Sequence, residues 1–405
     1  MTLSSAIDAI RAHAARATPG TVLTGLIGAG IGPSLSPPLH ETEARRLGVE
    51  LVYARFDLDE LGVPATAVGP LLAAGRDAGF RGLNITHPCK QVVLEHLDEL
   101  SPDAAALAAV NTVVFENGRA IGHNTDWSGF ARGLRTGLPE AELESVVLLG
   151  AGGAGAAVAH GLLTAGAGHV RVFDLDTGRA AELAAALADR FGSGRAAAGA
   201  GLGAAVEGRG SAGSDAGTPV GGQFGSGRAS AGPGSEAGMG GRAGEGCGAA
   251  GSDPEKGVGG RGSVGPGFEG RGSADIEAAV GGRLGTGRAS AGTDLAAAMR
   301  AADGLVHATP TGMAAHPGLP VPAGLLRPDL WVAEVVYRPL ETDLVRAARA
   351  VGARVLDGGR MAVFQAAEAF RLFTGSEPDA ARMLRHFAVL TGTASLERQP
   401  ADVLD

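Results

Sequence analysis

The residues best suited to acid–base chemistry lie close together in the first third of the chain. Of the 34 basic residues only two are lysines, Lys90 in GLNITHPCKQ and Lys256. A lysine whose pKa is lowered by burial or by a neighbouring charge exchanges protons near neutral pH, whereas an arginine stays charged. Lys90 is therefore a candidate for proton transfer, and Asp126 in GHNTDWSG is the acid that would hold and tune its amine. The alternative is an ordinary surface salt bridge.

Asparagine is almost as rare as lysine, with four residues in the whole chain. Three of them, Asn84, Asn111 and Asn124, lie in the compact polar motifs LNITHPCK, AVNTVV and GHNTDWSG. An asparagine amide offers both a donor and an acceptor, so it recognises hydroxyl groups well. The clustering of these rare residues within 41 positions predicts a site that binds hydroxyl groups beside Lys90.

A second candidate site is a glycine-rich turn. Gly150, Gly152 and Gly155 form the pattern G-x-G-x-x-G in LLGAGGAGAAV, between a predicted strand and an alanine-rich helix. Such glycines permit a tight turn and let a pyrophosphate approach backbone N–H groups at the helix N-terminus. The alternative is a tight turn without a ligand. We expect the cofactor contacts of this turn at Gly150, Gly152, Gly153, Ala154 and Gly155.

The type of cofactor is indicated by the acid that follows this turn. A second predicted strand ends at Asp174, which lies 19 residues after Gly155. An acid at this place accepts hydrogen bonds from the adenosine ribose hydroxyls and repels the 2′-phosphate of NADP. No arginine follows directly in the stretch DLDT. The sequence therefore predicts NAD in preference to NADP, with NADP as the alternative.

Composition excludes several other classes of protein. The net charge of −9 and the pI near 5.6 argue against nucleic-acid binding, since no basic patch is present. No apolar run reaches the ~18 residues of a membrane span, and the N-terminus lacks the apolar core of a secretory signal. The two cysteines, Cys89 and Cys247, predict neither a disulfide framework nor a metal site. We expect a cytoplasmic protein without a metal.

One long segment, roughly residues 194–292, differs from the rest in composition. Residues 201–290 hold 31 of the 68 glycines, and pieces such as FGSGRASAGPG and LGTGRASAGTD recur in it. No repeat carries an apolar face that stacking could bury, so a solenoid is the weaker alternative. Such sequence cannot offset the entropy of ordering itself. We predict a disordered, low-complexity insertion.

Outside that segment, apolar strands alternate with helices such as PPLHETEARRLG and ETDLVRAARAVGA. Strands separated by helices of this length predict an α/β fold with parallel sheets that are covered on both faces. A chain of 405 residues is long enough for two domains, each with its own core.

Seven motifs occur together in one order along the chain. They are SLSP from Ser34, NITHPCK from Asn84, AVNT from Ala109, GHNTD from Gly122, GAGGAG from Gly150, ATPTGM from Ala308 and QAAEAF from Gln365. With these motifs the chain resembles the shikimate dehydrogenase family, and most closely its NAD-using quinate/shikimate dehydrogenase branch. The resemblance covers about residues 20–193 and 293–390.

The resemblance implies a division into domains. We expect an α/β substrate-binding and catalytic domain over residues 1–125, and a Rossmann-type NAD-binding domain over 126–360 that carries the insertion. Helices over 361–390 would return to the N-terminal domain, and 391–405 would form a tail. The expected partner is a small-molecule substrate, quinate or shikimate, bound by a monomer or homodimer.

The same resemblance implies a role for each site residue. Lys90 and Asp126 would be the catalytic pair. Ser34 and Ser36 would hold the substrate carboxylate, although the sequence SLSPP alone favours a helix N-cap before Pro37. The remaining positions fall into three sets: Asn84, Thr86, Asn111 and Gln365 for the ring hydroxyls, Tyr337 for the carboxylate end, and Thr309, Gly358 and Met361 for the nicotinamide.

The implied activity is NAD-dependent oxidation of quinate or shikimate to the 3-dehydro acid. One alternative is an NADP-dependent biosynthetic shikimate dehydrogenase that reduces 3-dehydroshikimate, and another is a sensor that binds these acids without turnover. The chain departs from the family pattern at His307, where an asparagine is common. A short strand of the nucleotide domain is also expected to be either absent or located near residues 288–294.

Overall fold

The computed structural model describes residues 2–199 and 295–393. Within these ranges the chain is an α/β protein with two six-stranded sheets, each covered by helices. Most of the predicted insertion lies outside the described residues. Part of its start does not, since Ala196–Ala198 form a strand, and the folded part extends past the boundary that composition indicated. None of the described helices is long and apolar enough to cross a membrane.

Six strands form the first sheet: β1 (Val22–Gly28), β2 (Leu51–Asp57), β3 (Gly82–Ile85), β4 (Glu99–Leu100), β5 (Thr112–Glu116) and β6 (Arg119–His123). Their order is β2-β1-β3-β5-β6-β4. β1 is parallel to β2 and β3, but β5 is antiparallel to both β3 and β6. The expected parallel sheet is therefore only partly present here. β5 and β6 are antiparallel because Asn117 and Gly118, with φ of 52° and 77°, form a hairpin turn between them.

Seven α-helices precede β7 in the chain: α1 (Leu3–Ala14), α2 (Ser36–Arg46), α3 (Leu58–Leu61), α4 (Val68–Asp77), α5 (Cys89–Val92), α6 (Pro102–Leu107) and α7 (Asp126–Gly137). α7 packs in the core of the second sheet through Phe130 and Leu134. α1 and α4 cover one face of the first sheet, where Ile27 is buried. α2 covers the other face, where Leu26 is buried. Because both faces are covered, the β1 sequence VLTGLIG is apolar almost throughout.

The second sheet contains six parallel strands: β7 (Ser145–Leu149), β8 (His169–Phe173), β9 (Ala196–Ala198), β10 (Gly304–His307), β11 (Trp331–Glu334) and β12 (Arg354–Leu356). Their order is β12-β11-β10-β7-β8-β9. The sequence predicted that a short strand of this domain would be absent or lie near residues 288–294. The structure instead forms it at β9, which pairs with β8. The direction of strand addition reverses between β7 and β10. In open α/β sheets, ligands bind outside the carboxyl ends of the strands at such a reversal.

Six helices follow β7 in the chain: α8 (Gly153–Thr164), α9 (Thr177–Phe191), α10 (Leu295–Ala301), α11 (Asp343–Ala350), α12 (Gly358–Thr374) and α13 (Ala380–Thr391). α13 packs with α12 and with Leu39 of α2. α12 links the two sheets. Near its start Met361 is buried in the core of the second sheet, and near its end Phe373 packs with Val114 of the first sheet. The 17 residues of α12 therefore join the two halves of the molecule.

Candidate active site

Lys90 is positioned by the end of β3. After Ile85 the chain turns through residues 86–88 into the short helix α5, whose first residue, Cys89, is fully buried. The Lys90 carbonyl accepts a hydrogen bond of 2.9 Å from the Val110 N–H. The Lys90 backbone is thus tied to the segment that leads into β5, while its side chain remains partly exposed.

Asp126 is the first residue of α7, where the helix dipole favours a negative charge. Its N–H donates to the Asn124 side-chain oxygen at 3.1 Å. The preceding Thr125 N–H donates to the Asn111 side-chain oxygen at 2.8 Å. Asn111 comes just before β5, and Asn124 and Thr125 follow β6, so the antiparallel hairpin delivers the carboxylate to its place.

The structure brings Lys90 and Asp126 into contact. Lys90 Nζ lies 2.5 Å from Asp126 Oδ2, and Asn111 Nδ2 donates to Asp126 Oδ1 at 2.9 Å. The two side chains of the pair are 23% and 11% exposed, so the contact borders a space that a small molecule can reach. Among the described residues Asp126 is the only hydrogen-bond partner of the amine. Two of its three N–H donors therefore stay available to a ligand.

A second asparagine, Asn84, supports Asn111. Asn84 Nδ2 donates to Thr112 Oγ1 at 2.9 Å and to the Asn111 carbonyl at 3.2 Å, and Thr112 Oγ1 donates to Asn111 Oδ1 at 3.1 Å. Both N–H groups of Asn84 are used in this way, as are both of Asn111. The two asparagines therefore form the frame of the site, and Asn84 Oδ1 keeps one free lone pair for a ligand hydroxyl.

Tyr53, which the sequence analysis did not single out, completes this frame. Its hydroxyl donates to Asn84 Oδ1 at 2.7 Å. Burial raises the Tyr53 pKa far above its ordinary value, which keeps the hydroxyl protonated, while the Ser36 side chain acts in the opposite direction. The scarcity of tyrosine was the available signal, since the chain has only two, Tyr53 and Tyr337.

The segment predicted to hold a carboxylate lies next to Tyr53. Ser34 Oγ accepts a hydrogen bond from the Ser36 N–H at 3.2 Å, and α2 begins at Ser36. The N-cap alternative is wrong, because Leu35 is the N-cap residue of α2 and no side chain caps this helix. Ser34 instead closes a local turn, and its hydroxyl donates to no other described residue. Burial raises the Tyr337 pKa, with smaller effects from Arg338, Lys90 and Asp126. Ser36, Tyr53, Tyr337 and the Lys90–Asp126 pair therefore share one neighbourhood.

Thr86 and Gln365 are the other residues predicted to bind the substrate. Thr86 is half-buried, and its methyl group lies beside Gly28, where an added Cβ would come within 2.3 Å of it. Gln365 is half-buried on α12 and donates to the Ala362 carbonyl at 2.9 Å. Gly129 of α7 packs closely against it, since a Cβ there would lie 2.6 Å from the Gln365 backbone nitrogen. Gln365 therefore lies where α7 and α12 cross.

The glycine-rich turn connects β7 to α8. Different physical reasons explain why glycine occupies each of its three motif positions. Gly150 has φ of +104°, and a Cβ there would lie 2.7 Å from the Ala308 carbonyl oxygen. A Cβ on Gly155 would lie 2.0 Å from the Gly150 carbonyl oxygen. A Cβ on Gly152 or Gly153 would meet no atom within 4 Å. The chain itself thus requires Gly150 and Gly155, whereas the open side at Gly152 suits a ligand that approaches the backbone.

This open side has the chemistry of a pyrophosphate site. α8 begins at Gly153, and its N-cap Gly152 has no side chain to satisfy the first N–H groups. The unpaired N–H groups at a helix N-terminus, including that of Ala154, attract anions. The residues present fit a dinucleotide.

Asp174 is tied into the same turn. Its Oδ2 accepts from the Ala151 N–H at 2.7 Å, and its Oδ1 accepts from the Asp176 N–H and the Arg179 guanidinium, both at 2.9 Å. Burial opposes ionisation of Asp174, but these hydrogen bonds and the Arg179 charge outweigh it and lower the pKa below its usual value. Arg179 was missed because only the residues directly after Asp174 were considered. The first turn of α9 brings it back to the carboxylate.

The residues predicted at the nicotinamide lie at the carboxyl ends of β10 to β12. Thr309 lies beside the glycine-rich turn, where a Cβ on Gly150 would be 3.1 Å from its methyl group. Gly358 begins α12, and a Cβ there would lie 2.6 Å from the Val335 and Val336 carbonyl oxygens. Met361 is 8% exposed and packs in the core beneath this edge.

Comparison with known proteins gives matches along most of the chain. Residues 26–113 match the shikimate dehydrogenase substrate binding domain, and residues 359–386 match the shikimate 5′-dehydrogenase C-terminal domain. A shikimate dehydrogenase (NADP(+)) of Streptomyces avermitilis is 50% identical over 379 residues, which are 94% of this chain and 99% of that protein. A quinate/shikimate dehydrogenase (NAD(+)) of Corynebacterium efficiens is 40% identical over 371 residues, 91% of this chain and 99% of that one.

A solved structure shows the same similarity. The quinate dehydrogenase from Corynebacterium glutamicum in complex with NAD aligns with a TM-score of 0.64 and 38% identity. The alignment covers 91% of this chain and 99% of that chain.

Two glycine variants test the interpretation of the turn. We expect Gly155→Ala to destabilise the protein by about 1–3 kcal/mol, because its Cβ overlaps a backbone oxygen. We expect Gly152→Ala to cost only about 0.5–1 kcal/mol of stability, the usual difference between alanine and glycine at an N-cap, yet to weaken NAD and NADP binding at least ~10-fold, since a methyl group would then lie where the pyrophosphate approaches. Thermal unfolding and fluorescence titration measure the two effects. Unchanged dinucleotide affinity in Gly152→Ala would show that the open side is not the binding surface.

Proposed function

Because the chain belongs to the shikimate dehydrogenase family, we propose that it catalyses the NAD-dependent oxidation of quinate, shikimate or both, to the corresponding 3-dehydro acids. The main support is the 2.5 Å contact between Lys90 Nζ and Asp126 Oδ2 inside a frame of buried amides. A binding protein without turnover does not require such a pair, which is the reason for setting the sensor alternative aside.

The residues divide the chemistry between them. Oxidation of a ring alcohol breaks its C–H bond with loss of hydride and its O–H bond with loss of a proton, and a carbonyl forms. A bound nicotinamide ring supplies the hydride acceptor. Lys90 acts as the neutral amine: its Nζ lone pair takes up the hydroxyl proton, the amine becomes an ammonium, and Asp126 holds the nitrogen in line with that hydroxyl. Asn111 fixes the second oxygen of the carboxylate, so that Asp126 cannot rotate away from the amine.

We propose that the same neighbourhood binds the substrate carboxylate and hydroxyls. Ser34 lies just before α2 and Ser36 is its first residue, and their hydroxyls suit a carboxylate. Tyr337 belongs to the same end of the site. The free lone pair of Asn84 Oδ1 suits a ring hydroxyl, as do the side chains of Thr86 and Gln365. A polyhydroxylated acid that pairs with all of these groups is favoured over an analogue lacking one hydroxyl, because a missing hydroxyl leaves a buried polar group unpaired.

NAD is the proposed cofactor because Asp174 is anionic and lies at the end of β8. A carboxylate with a lowered pKa accepts hydrogen bonds from ribose hydroxyls and repels a 2′-phosphate. One observation favours the alternative, NADP-dependent reduction of 3-dehydroshikimate: the Arg179 guanidinium is 56% exposed beside Asp174 and could pair with a phosphate. The name of the Streptomyces avermitilis relative points the same way.

An assay of quinate and shikimate, each with NAD and with NADP, tests the proposal directly. We expect reduced nucleotide to form with at least one acid, and faster with NAD than with NADP. Asp174→Asn keeps one acceptor oxygen for the Ala151 N–H but loses the charge, so the ratio of kcat/KM for NADP to that for NAD should rise at least ~10-fold. Arg179→Ala should move the ratio in the opposite direction.

Rates with NADP equal to or above those with NAD in the wild type would overturn the choice of cofactor. Thermal stabilisation by the acids without any nucleotide reduction would support the sensor instead.

The role of the amine is tested by Lys90→Arg. A guanidinium keeps the positive charge and the ion pair but cannot give up its proton, so we expect substrate affinity within about threefold of wild type and kcat reduced by about 10²–10⁴. Lys256→Arg makes the same chemical change at the other lysine of the chain and should leave kcat unchanged. Isothermal titration gives the affinity, and absorbance at the reduced nucleotide gives kcat. Substantial turnover in Lys90→Arg would exclude Lys90 as the proton acceptor.

A further inference from the structure

We propose that His307 and Glu334 form a buried positioning pair that sets the orientation of the Thr309 hydroxyl at the nicotinamide end of the dinucleotide site. This inference rests on the proposed function, in that it takes the cofactor to be a nicotinamide dinucleotide. His307 and Glu334 are not placed in the reaction itself. They act through Thr309 and through the two loops that leave β10 and β11.

The pair lies at the end of two neighbouring strands. His307 is the last residue of β10, Glu334 is the last residue of β11, and the two are partners in the parallel register. Both side chains are completely buried. His307 Nδ1 lies 2.9 Å from Glu334 Oε1 and 3.1 Å from Oε2. A carboxylate and an imidazole at this depth require full hydrogen bonding, because an unpaired buried charge is costly.

The carboxylate has all of its partners within the protein. Besides His307, Glu334 Oε1 accepts from the Val336 N–H at 3.0 Å, and Oε2 accepts from the Thr342 hydroxyl at 3.0 Å. With these donors around it, Glu334 acts as an acceptor only, and His307 Nδ1 must carry the proton between them. In the neutral imidazole the other nitrogen, Nε2, is then an acceptor.

That second nitrogen faces the loop predicted at the nicotinamide. His307 Nε2 lies 2.5 Å from Thr309 Oγ1, so the Thr309 hydroxyl proton points to the imidazole. The Thr311 N–H donates to the same oxygen at 3.3 Å. The Thr309 oxygen keeps a lone pair for a ligand, and the half-buried side chain lies beside Gly150 of the glycine-rich turn. A lone pair fixed in this way suits an amide N–H, the donor that a nicotinamide carboxamide carries.

The same carboxylate holds the neighbouring loop. The Val336 N–H that bonds to Glu334 directly precedes Tyr337, which belongs to the neighbourhood of Lys90. Thr342 caps α11 by accepting from the Val345 N–H at 3.2 Å, and it packs against Gly312, where φ is +96°. Glu334 thus ties the loop after β10 and the loop after β11 to one point. A purely apolar core at the end of these strands would fill the same space without fixing either loop.

The test uses two ligands that differ only in the nicotinamide end: NADH, and ADP-ribose, which lacks the nicotinamide ring. Thr309→Val removes the hydroxyl with little change of shape on a half-buried loop, and we expect it to weaken NADH binding about 10-fold while ADP-ribose binding stays within about twofold. Thr309→Ser keeps the hydroxyl and should bind both ligands as wild type does. Isothermal titration on the full-length wild-type and variant proteins measures the six affinities.

Two core variants extend the test to the pair. His307→Gln retains an acceptor near the Nε2 position and should keep more NADH affinity than His307→Leu, which retains none. Equal losses for NADH and ADP-ribose in these variants would indicate a general structural role and overturn the inference, as would unchanged NADH affinity in Thr309→Val. If the wild-type protein bound neither ligand, the proposed function itself would fail, and this inference with it.

Discussion

The arrangement of the site depends on a single short contact, the 2.5 Å between Lys90 Nζ and Asp126 Oδ2. The two residues are 36 positions apart, one in a short helix after a strand and the other at the start of a long helix. Asn111 lies between them along the chain and bonds to the Asp126 carboxylate and to the Thr125 backbone. The antiparallel hairpin of β5 and β6 is the element that makes this meeting possible.

The buried polar groups around that contact hydrogen-bond to one another and leave only a few donors and acceptors for a ligand. Tyr53, Asn84 and Thr112 use their donors within the frame. What remains is chemically specific: two N–H groups on Lys90 and one lone pair on Asn84 Oδ1. A fully satisfied polar network of this kind is rigid, so the remainder is presented in a fixed geometry. The end of the second sheet follows the same pattern, since Glu334 and His307 satisfy each other and leave one lone pair on Thr309.

Sequence analysis predicted the parts of the molecule that have local signals. The rarity of lysine and asparagine indicated Lys90 and its surroundings, and the strand–glycine–helix pattern indicated the turn at Gly150 to Gly155. The features it missed depend on tertiary structure: Tyr53 reaches Asn84 from a strand 31 residues away, and Arg179 returns to Asp174 only through the first turn of α9. β9 was missed because Ala196–Ala198 shares the composition of the segment that follows. The Asn117–Gly118 turn carried a recognisable hairpin signal that was not used.

The most direct measurement of the central claim is a double-mutant cycle on the catalytic pair. Lys90→Met, Asp126→Asn and the combined variant would be compared in the single-turnover rate of hydride transfer with saturating substrate and NAD. If Lys90 and Asp126 act as one proton-handling unit, each single variant loses most of the rate, and the combined variant is about as slow as the slower single variant. Losses that multiply in the combined variant would show that the two residues act independently, and would contradict the account.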